Sequence, residues 1–199
     1  MAQPSVSPEE FQALIRELSC GDDERAEAAA LTLGIYGCDA VVYLQPLLDH
    51  PSADLRWWAA RSLGQLRCEA AYQLLIRLLG DSDVDVRACA AFALGEAEVD
   101  RAVPSLARML GDTSVYVSAM AADALARIGT TSVPVLIERL KNGTSLERSR
   151  AAKALLTILD SRSIPALIAA LEDESPVVEH YAAEALTRLG VGTVLLKPA

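Results

Sequence analysis

The chain has 199 residues, a formal net charge of −9 and a pI near 4.7, with 52% hydrophobic and only 5% aromatic residues. Its 34 alanines and 30 leucines make it too apolar for a disordered chain, and β-formers are too sparse for a mostly β protein. A global negative charge repels phosphate backbones, so nucleic acid is not an expected partner.

In chain order, residues 1–7 carry neither the basic run nor the apolar segment of a secretion signal and read as a flexible segment. Ser7-Pro8-Glu9-Glu10 then reads as an N-cap, a proline at the first helical position and a capping-box glutamate. Beyond it a repeat sets the order. Leucine anchors fall at Leu33, Leu63, Leu94, Leu125, Leu155 and Leu186, spaced 30 or 31 residues apart. An alanine pair precedes each: Ala29-Ala30, Ala59-Ala60, Ala90-Ala91, Ala121-Ala122, Ala151-Ala152 and Ala182-Ala183. A second leucine column runs Leu48, Leu79, Leu110, Leu140, Leu171, and a proline column runs Pro104, Pro134, Pro165.

Each copy divides into two amphipathic segments, helix A and helix B. In the third copy Gln73 to Leu79 is helix A, Gly80 to Asp83 a tight turn supplying the N-cap, and Val84 to Glu96 helix B. Val86, Ala90, Ala93, Leu94 and Ala97 are expected on the buried face of that B helix. The alanine pairs let neighbouring helices approach closely, and the column prolines sit where a missing N–H costs nothing. Gly64, Gly95, Gly129 and Gly190 fall at or near the ends of B helices, where the chain turns. No apolar stretch reaches the roughly 18–20 residues of a membrane span.

The pattern Asp83-x-x-Val86-Arg87-x-x-Ala90-Ala91-x-Ala93-Leu94-Gly95 resembles a HEAT repeat, and more narrowly the short HEAT-like repeat of phycobilisome lyases. The resemblance implies an all-α, right-handed α-solenoid of about six helix pairs over residues 8–190. Residues 191–199 are left as a tail that either caps the last repeat or docks on another protomer. It also implies that the Arg column pairs with an Asp of the neighbouring repeat. Those columns hold at Asp54/Arg56 and Asp83/Arg87, fail at Ser114/Ser118 and Ser175/Glu179, and place Arg148 after Glu147 in the fourth copy.

Three columns on the B helices change from copy to copy and form the candidate groove. The first holds Trp58, Cys89, Met120, Arg150 and Tyr181, the second Arg61, Phe92, Asp123, Lys153 and Glu184, and the third Gln65, Glu96, Arg127 and Arg188. Ala28, Leu31, Ile35 and Thr157 complete the same columns. Trp, Tyr, Phe, Met and Arg are types that concentrate binding energy at interfaces. Adjacent helical residues diverge by about 100°, so Trp58 is assigned to the groove and Trp57 to packing between repeats. The run Arg148, Arg150, Lys153, next to Glu147, reads as a solvated face.

Catalytic and metal constellations are poor. His50 lies before Pro51 at a turn, and His180 stands near Glu184 as a surface pair. Cys20, Cys38, Cys68 and Cys89 have no CxxC spacing, so four reduced thiols in a cytoplasmic protein are expected. Glu96 beside Cys89 would raise its thiol pKa and blunt it as a nucleophile. The expected function is therefore a non-catalytic, cofactor-free scaffold that binds a protein or peptide in its groove, with no membrane or nucleic-acid partner. The resemblance also implies an alternative, a bilin lyase-like or phycobilisome-associated factor. A HEAT-type DNA glycosylase would need a basic groove, whereas residues 1–100 hold 17 acidic against 7 basic residues and residues 101–199 hold 10 against 11.

Overall fold

The computed structural model describes residues 7–191. The expected N-terminal segment up to residue 6, and the tail from residue 192, lie outside the described residues. The chain divides between Ala97 and Glu98 into two compact units. Each is all-helical among the described residues, a stack of helix pairs in the α-solenoid class.

In the first unit α1 (Pro8–Leu18) packs on α2 (Asp23–Ile35). Ser7 closes the expected capping box: its amide donates to Glu10 Oε2 at 2.9 Å, and its Oγ accepts from the Glu10 amide at 3.3 Å. Asp22 caps α2 through the amides of Glu24 and Arg25, each at 3.1 Å. The A segment of the second pair is broken. Two 3-10 turns, Gly37–Ala40 and Gln45–Asp49, flank the four residues of α3 (Val41–Leu44), and Pro46 withholds an N–H inside the second turn. Then come α4 (Ala53–Gln65), α5 (Glu69–Leu78) and α6 (Val84–Glu96). The α6 bounds are those the sequence predicts. Helix α5 starts four residues early, because Glu69, Ala70 and Ala71 are themselves good helix formers. Val86, Ala90, Ala93 and Leu94 are buried as expected, while Ala97, just past the helix, is half-buried.

The second unit repeats the scheme with α7 (Val103–Met109), α8 (Val115–Ile128), α9 (Val133–Asn142), α10 (Ser145–Ile158), α11 (Ile164–Ala169) and α12 (Pro176–Arg188). Pro104, Pro134 and Pro165 occupy the first turns of α7, α9 and α11. The span Val115–Asn142 is long and apolar enough by composition to cross a membrane. It is not one helix, because Gly129 at φ 78° ends α8 and a 3-10 turn precedes α9. Its Leu125 and Leu136 are core residues.

The anchor column is the core. Leu33, Leu63, Leu94, Leu125, Leu155 and Leu186 are buried, with the alanine pairs beside them except Ala183, which is exposed. Burying a leucine contributes about 1.5–3 kcal/mol, so this column is a principal source of stability. Gly64 corrects the turn reading: it lies inside α4, and a Cβ there would stand 2.9 Å from Ala93 Cβ on α6. Its role is close approach of two B helices, whereas Gly129 does turn the chain.

The arginine column forms the rungs that the resemblance implies. Arg56 Nε and Nη2 donate to Asp81 Oδ2 and Oδ1, each at 2.8 Å, and Nη1 reaches back to the His50 carbonyl at 2.9 Å. In the second unit Arg148 does the same to Asp173 at 2.7 and 3.0 Å, and adds Glu174 at 3.0 Å. Ser118 replaces the arginine with a buried hydroxyl that donates to the Val115 carbonyl at 3.0 Å. Asp54 does not belong to the rungs. Ser52 holds the N-cap position equivalent to Asp83, and Asp54 is an exposed residue of the first turn of α4. His50 is structural, its Nδ1 accepting from the Ser52 amide at 3.1 Å, as Asp81 does from Asp83 at 2.8 Å.

The thiol expectation also needs correcting. Cys38 and Cys68 are joined in a disulfide, leaving Cys20 and Cys89 free. The two positions are one repeat apart, so stacking sets them side by side with Cα atoms 6.0 Å apart. Screening for CxxC spacing cannot detect such a pair.

Candidate functional site

The B helices of the first unit bring five of the candidate residues together. Arg61 and Gln65 from α4 meet Cys89, Phe92 and Glu96 from α6 around one cleft of about 280 Å³. The close packing of α4 on α6 through Gly64 and Ala93 forms its floor, since both residues line it. Phe92 stands 47% exposed at its edge, a large apolar side chain that the fold does not use. Leu31 and Ile35, one turn apart in the same columns of α2, are 50% and 66% exposed. Both belong to the groove columns that the sequence defines, Leu31 to the second and Ile35 to the third. Ile35 is the one apolar member of a column that otherwise holds Gln65, Glu96, Arg127, Thr157 and Arg188, whereas the column of Leu31 also holds Phe92.

Cys89 is half-buried in this cleft, and its thiol is pushed up to about 12. Burial is the main cause; Arg61 opposes it and Glu27 adds to it. The carboxylate involved is thus Glu27, which ion-pairs with Arg61, and not Glu96. A thiol held neutral in this way is a weaker nucleophile than a thiolate.

Trp58 lies elsewhere. It and Trp57 stand edge to face, ring centroids 4.7 Å apart and planes at 86°, and both line a separate cleft of about 690 Å³. That corrects the split between a groove Trp58 and a packing Trp57. Both indoles are half-buried, because the cleft between the start of α2 and the start of α4 is wide enough to take two neighbouring side chains.

In the second unit the candidates are largely committed to the fold. Lys153 pairs with Asp123 at 3.1 Å, and Arg150 Nη2 donates to the Val115 carbonyl at 3.2 Å. Arg148 is shielded in its rung, whereas Lys153 and its partner Asp123 remain at the surface, so the solvated-face reading fails for Arg148 alone. Glu147 closes a capping box with Thr144 and pairs with Arg139 at 3.1 Å. Hydrogen bonds from the Thr144 amide and hydroxyl and the charge of Arg139 hold its carboxyl below the usual range, against the opposing effect of burial. Met120 and Tyr181 are half-buried, while Arg127 and Arg188 are exposed. The Tyr181 ring lies 5.7 Å from that of His180, whose Nε2 is 3.8 Å from Glu184. Among the described residues no group of three or more His, Cys, Asp or Glu side chains is placed to hold a metal ion.

Comparison with known proteins places the fold. No curated protein matches the sequence. The complex of CpcE and CpcF of phycocyanin lyase from Nostoc sp. is similar at 26% identity, over 96% of this chain and 79% of that one, with a TM-score of 0.54. Escherichia coli YibA is similar at 22% identity, over 98% and 80%, with a TM-score of 0.60. A designed armadillo repeat protein in complex with the peptide (KR)4 shares the fold at 18% identity, over 90% and 99%, with a TM-score of 0.52. The family description of HEAT repeats matches residues 11–88, 73–155 and 133–195, nearly the whole chain. With its stacked helix pairs and leucine column, the chain belongs to the HEAT-repeat family.

Proposed function

We propose that this protein is a non-catalytic scaffold that captures a segment of a partner protein on the exposed face of its B helices. The observation that carries the reading is the α4/α6 cleft. Five residues that vary between repeats line it, next to columns that repeat, and it presents Phe92 to solvent. Exposed aromatics beside an arginine are characteristic of binding hot spots. The raised Cys89 thiol argues against covalent chemistry there. Capture of a partner by the immobilised full chain, identified by mass spectrometry, is expected to fail for Phe92→Ala/Gln65→Ala while helical circular dichroism stays the same. Undiminished capture by that variant sinks the assignment.

A second reading, a lyase-like factor that handles a bilin or its carrier protein, is favoured by the likeness to the phycocyanin lyase complex. Mixing the chain with a free bilin separates the two. A red-shifted absorbance band supports the lyase-like reading, and an unchanged spectrum counts against it.

A further inference from the structure

The cleft that holds both tryptophans has a chemistry of its own. Its walls come from the end of α1 and the turn after it, the start of α2 and the start of α4, and among the described residues its four charged groups are all carboxylates: Asp22, Asp23, Glu27 and Asp54. Among the described residues no basic side chain lines it. Two of the carboxylates have work inside the fold, Asp22 as the cap of α2 and Glu27 in its pair with Arg61. Asp23 and Asp54 are exposed, and among the described residues neither forms an ion pair. They line the same cleft as the right-angled pair of Trp57 and Trp58.

An indole face attracts a cation through its quadrupole, and a guanidinium, being planar and weakly hydrated, stacks there better than an ammonium. Carboxylates beside the ring supply the charge complement and hydrogen-bond acceptors for its N–H groups. A volume of about 690 Å³ is of the size that holds a small ligand or a long side chain. The cleft also lies in the acidic half of the chain, residues 1–100, where a positively charged segment is drawn in from a distance.

From this we infer that the Trp57/Trp58 cleft is a receptor for an arginine side chain of a basic, extended protein segment, with Asp23 and Asp54 as its counter-charges. The inference rests on the scaffold reading above and names the chemistry of the segment captured.

The test uses the fact that the chain's two tryptophans are both in the cleft. Intrinsic fluorescence of the full chain is titrated with octa-arginine, octa-lysine and octa-glutamate peptides at low and physiological salt. Octa-arginine should shift the emission saturably and bind more tightly than octa-lysine, and octa-glutamate should do nothing. Asp23→Asn/Asp54→Asn, both exposed positions that should leave folding intact, should weaken binding by about five- to tenfold and flatten its salt dependence. Trp58→Leu, followed by anisotropy of a labelled octa-arginine, should weaken it about tenfold. Asp85→Asn, an exposed carboxylate that lines neither cleft, should bind octa-arginine as the parent does. An emission that does not move, equal binding of octa-glutamate, or full affinity in both the carboxamide and the Trp58 variants overturns the inference. If octa-arginine fails while Phe92-dependent partner capture persists, the cation receptor falls and the scaffold reading stands.

Discussion

Arg56 holds Asp81, in the next repeat, by two parallel hydrogen bonds of 2.8 Å, and both side chains are largely buried. Burial alone would raise the Asp81 carboxyl, but the Arg56 guanidinium and the Asp83 amide outweigh it and hold it below the usual carboxylate range. On acidification the unfolded chain therefore takes up the proton first. The rung's contribution is full above the unfolded value of about 3.9 and is lost as pH falls through the lower folded value. Arg56→Ala is expected to cost about 2 kcal/mol at pH 7 in urea unfolding, since it strands a shielded carboxylate. Asp81→Asn should likewise be destabilised at pH 7, and its deficit should shrink below about pH 4. A deficit independent of pH would show that the carboxylate charge has no part in it.

The thiols should titrate in three steps. In the native, unreduced chain exposed Cys20 reacts promptly with a thiol reagent at pH 8, while Cys89, pushed up to about 12, lags. Denaturation without reductant should release two thiols in all, and reduction four. Closing a loop of 30 residues stabilises by roughly 3–4 kcal/mol on the chain-entropy account, so Cys38→Ser/Cys68→Ser should lower stability by that order. Four thiols in the denatured, unreduced chain would refute the bond.

Gly64→Ala should destabilise although alanine is the better helix former. The new Cβ meets Ala93 Cβ at 2.9 Å, and forcing α4 from α6 costs about 1–3 kcal/mol against a propensity gain of about 1 kcal/mol. Ala93→Gly in the same chain should restore part of the loss, and a double-mutant cycle measures the coupling. Purely additive effects would place the strain elsewhere.

Phe92→Ala is expected to change unfolding free energy by no more than about 0.5 kcal/mol, because the ring is 47% exposed and fills no core space. A loss of several kcal/mol would make Phe92 a structural residue and remove it from the binding face.

Much of the scaffold was legible because each helix pair buries the same side chains in the same order. The column Leu33 to Leu186 and the bounds of α6 follow directly from that repetition. The broken A segment around Pro46 did not, since it departs from the repeat. For the site, column reasoning brought Arg61, Gln65, Cys89, Phe92 and Glu96 into one cleft, because a shared face on neighbouring B helices is a property of spacing. It could not foresee that Arg150 and Lys153 would be spent on a carbonyl and on Asp123, because such partners depend on where side chains reach. Nor could helical angles alone reveal that Trp57 and Trp58 share a wide cleft at a helix start.

The pair Arg61–Glu27 is a party wall. Arg61 lines the Phe92 cleft and Glu27 lines the tryptophan cleft, so one ion pair has an end in each. On the proposed reading, a guanidinium seated beside Trp58 would also draw on Glu27 and so bear on Arg61, part of the charge that the neighbouring cleft presents. Thermodynamic linkage then requires the reverse effect to be equal: whatever engages Arg61 next to Phe92 alters the affinity for a cation at the tryptophans by the same factor. The two proposed recognition events on the first unit would thereby report on each other through a single guanidinium.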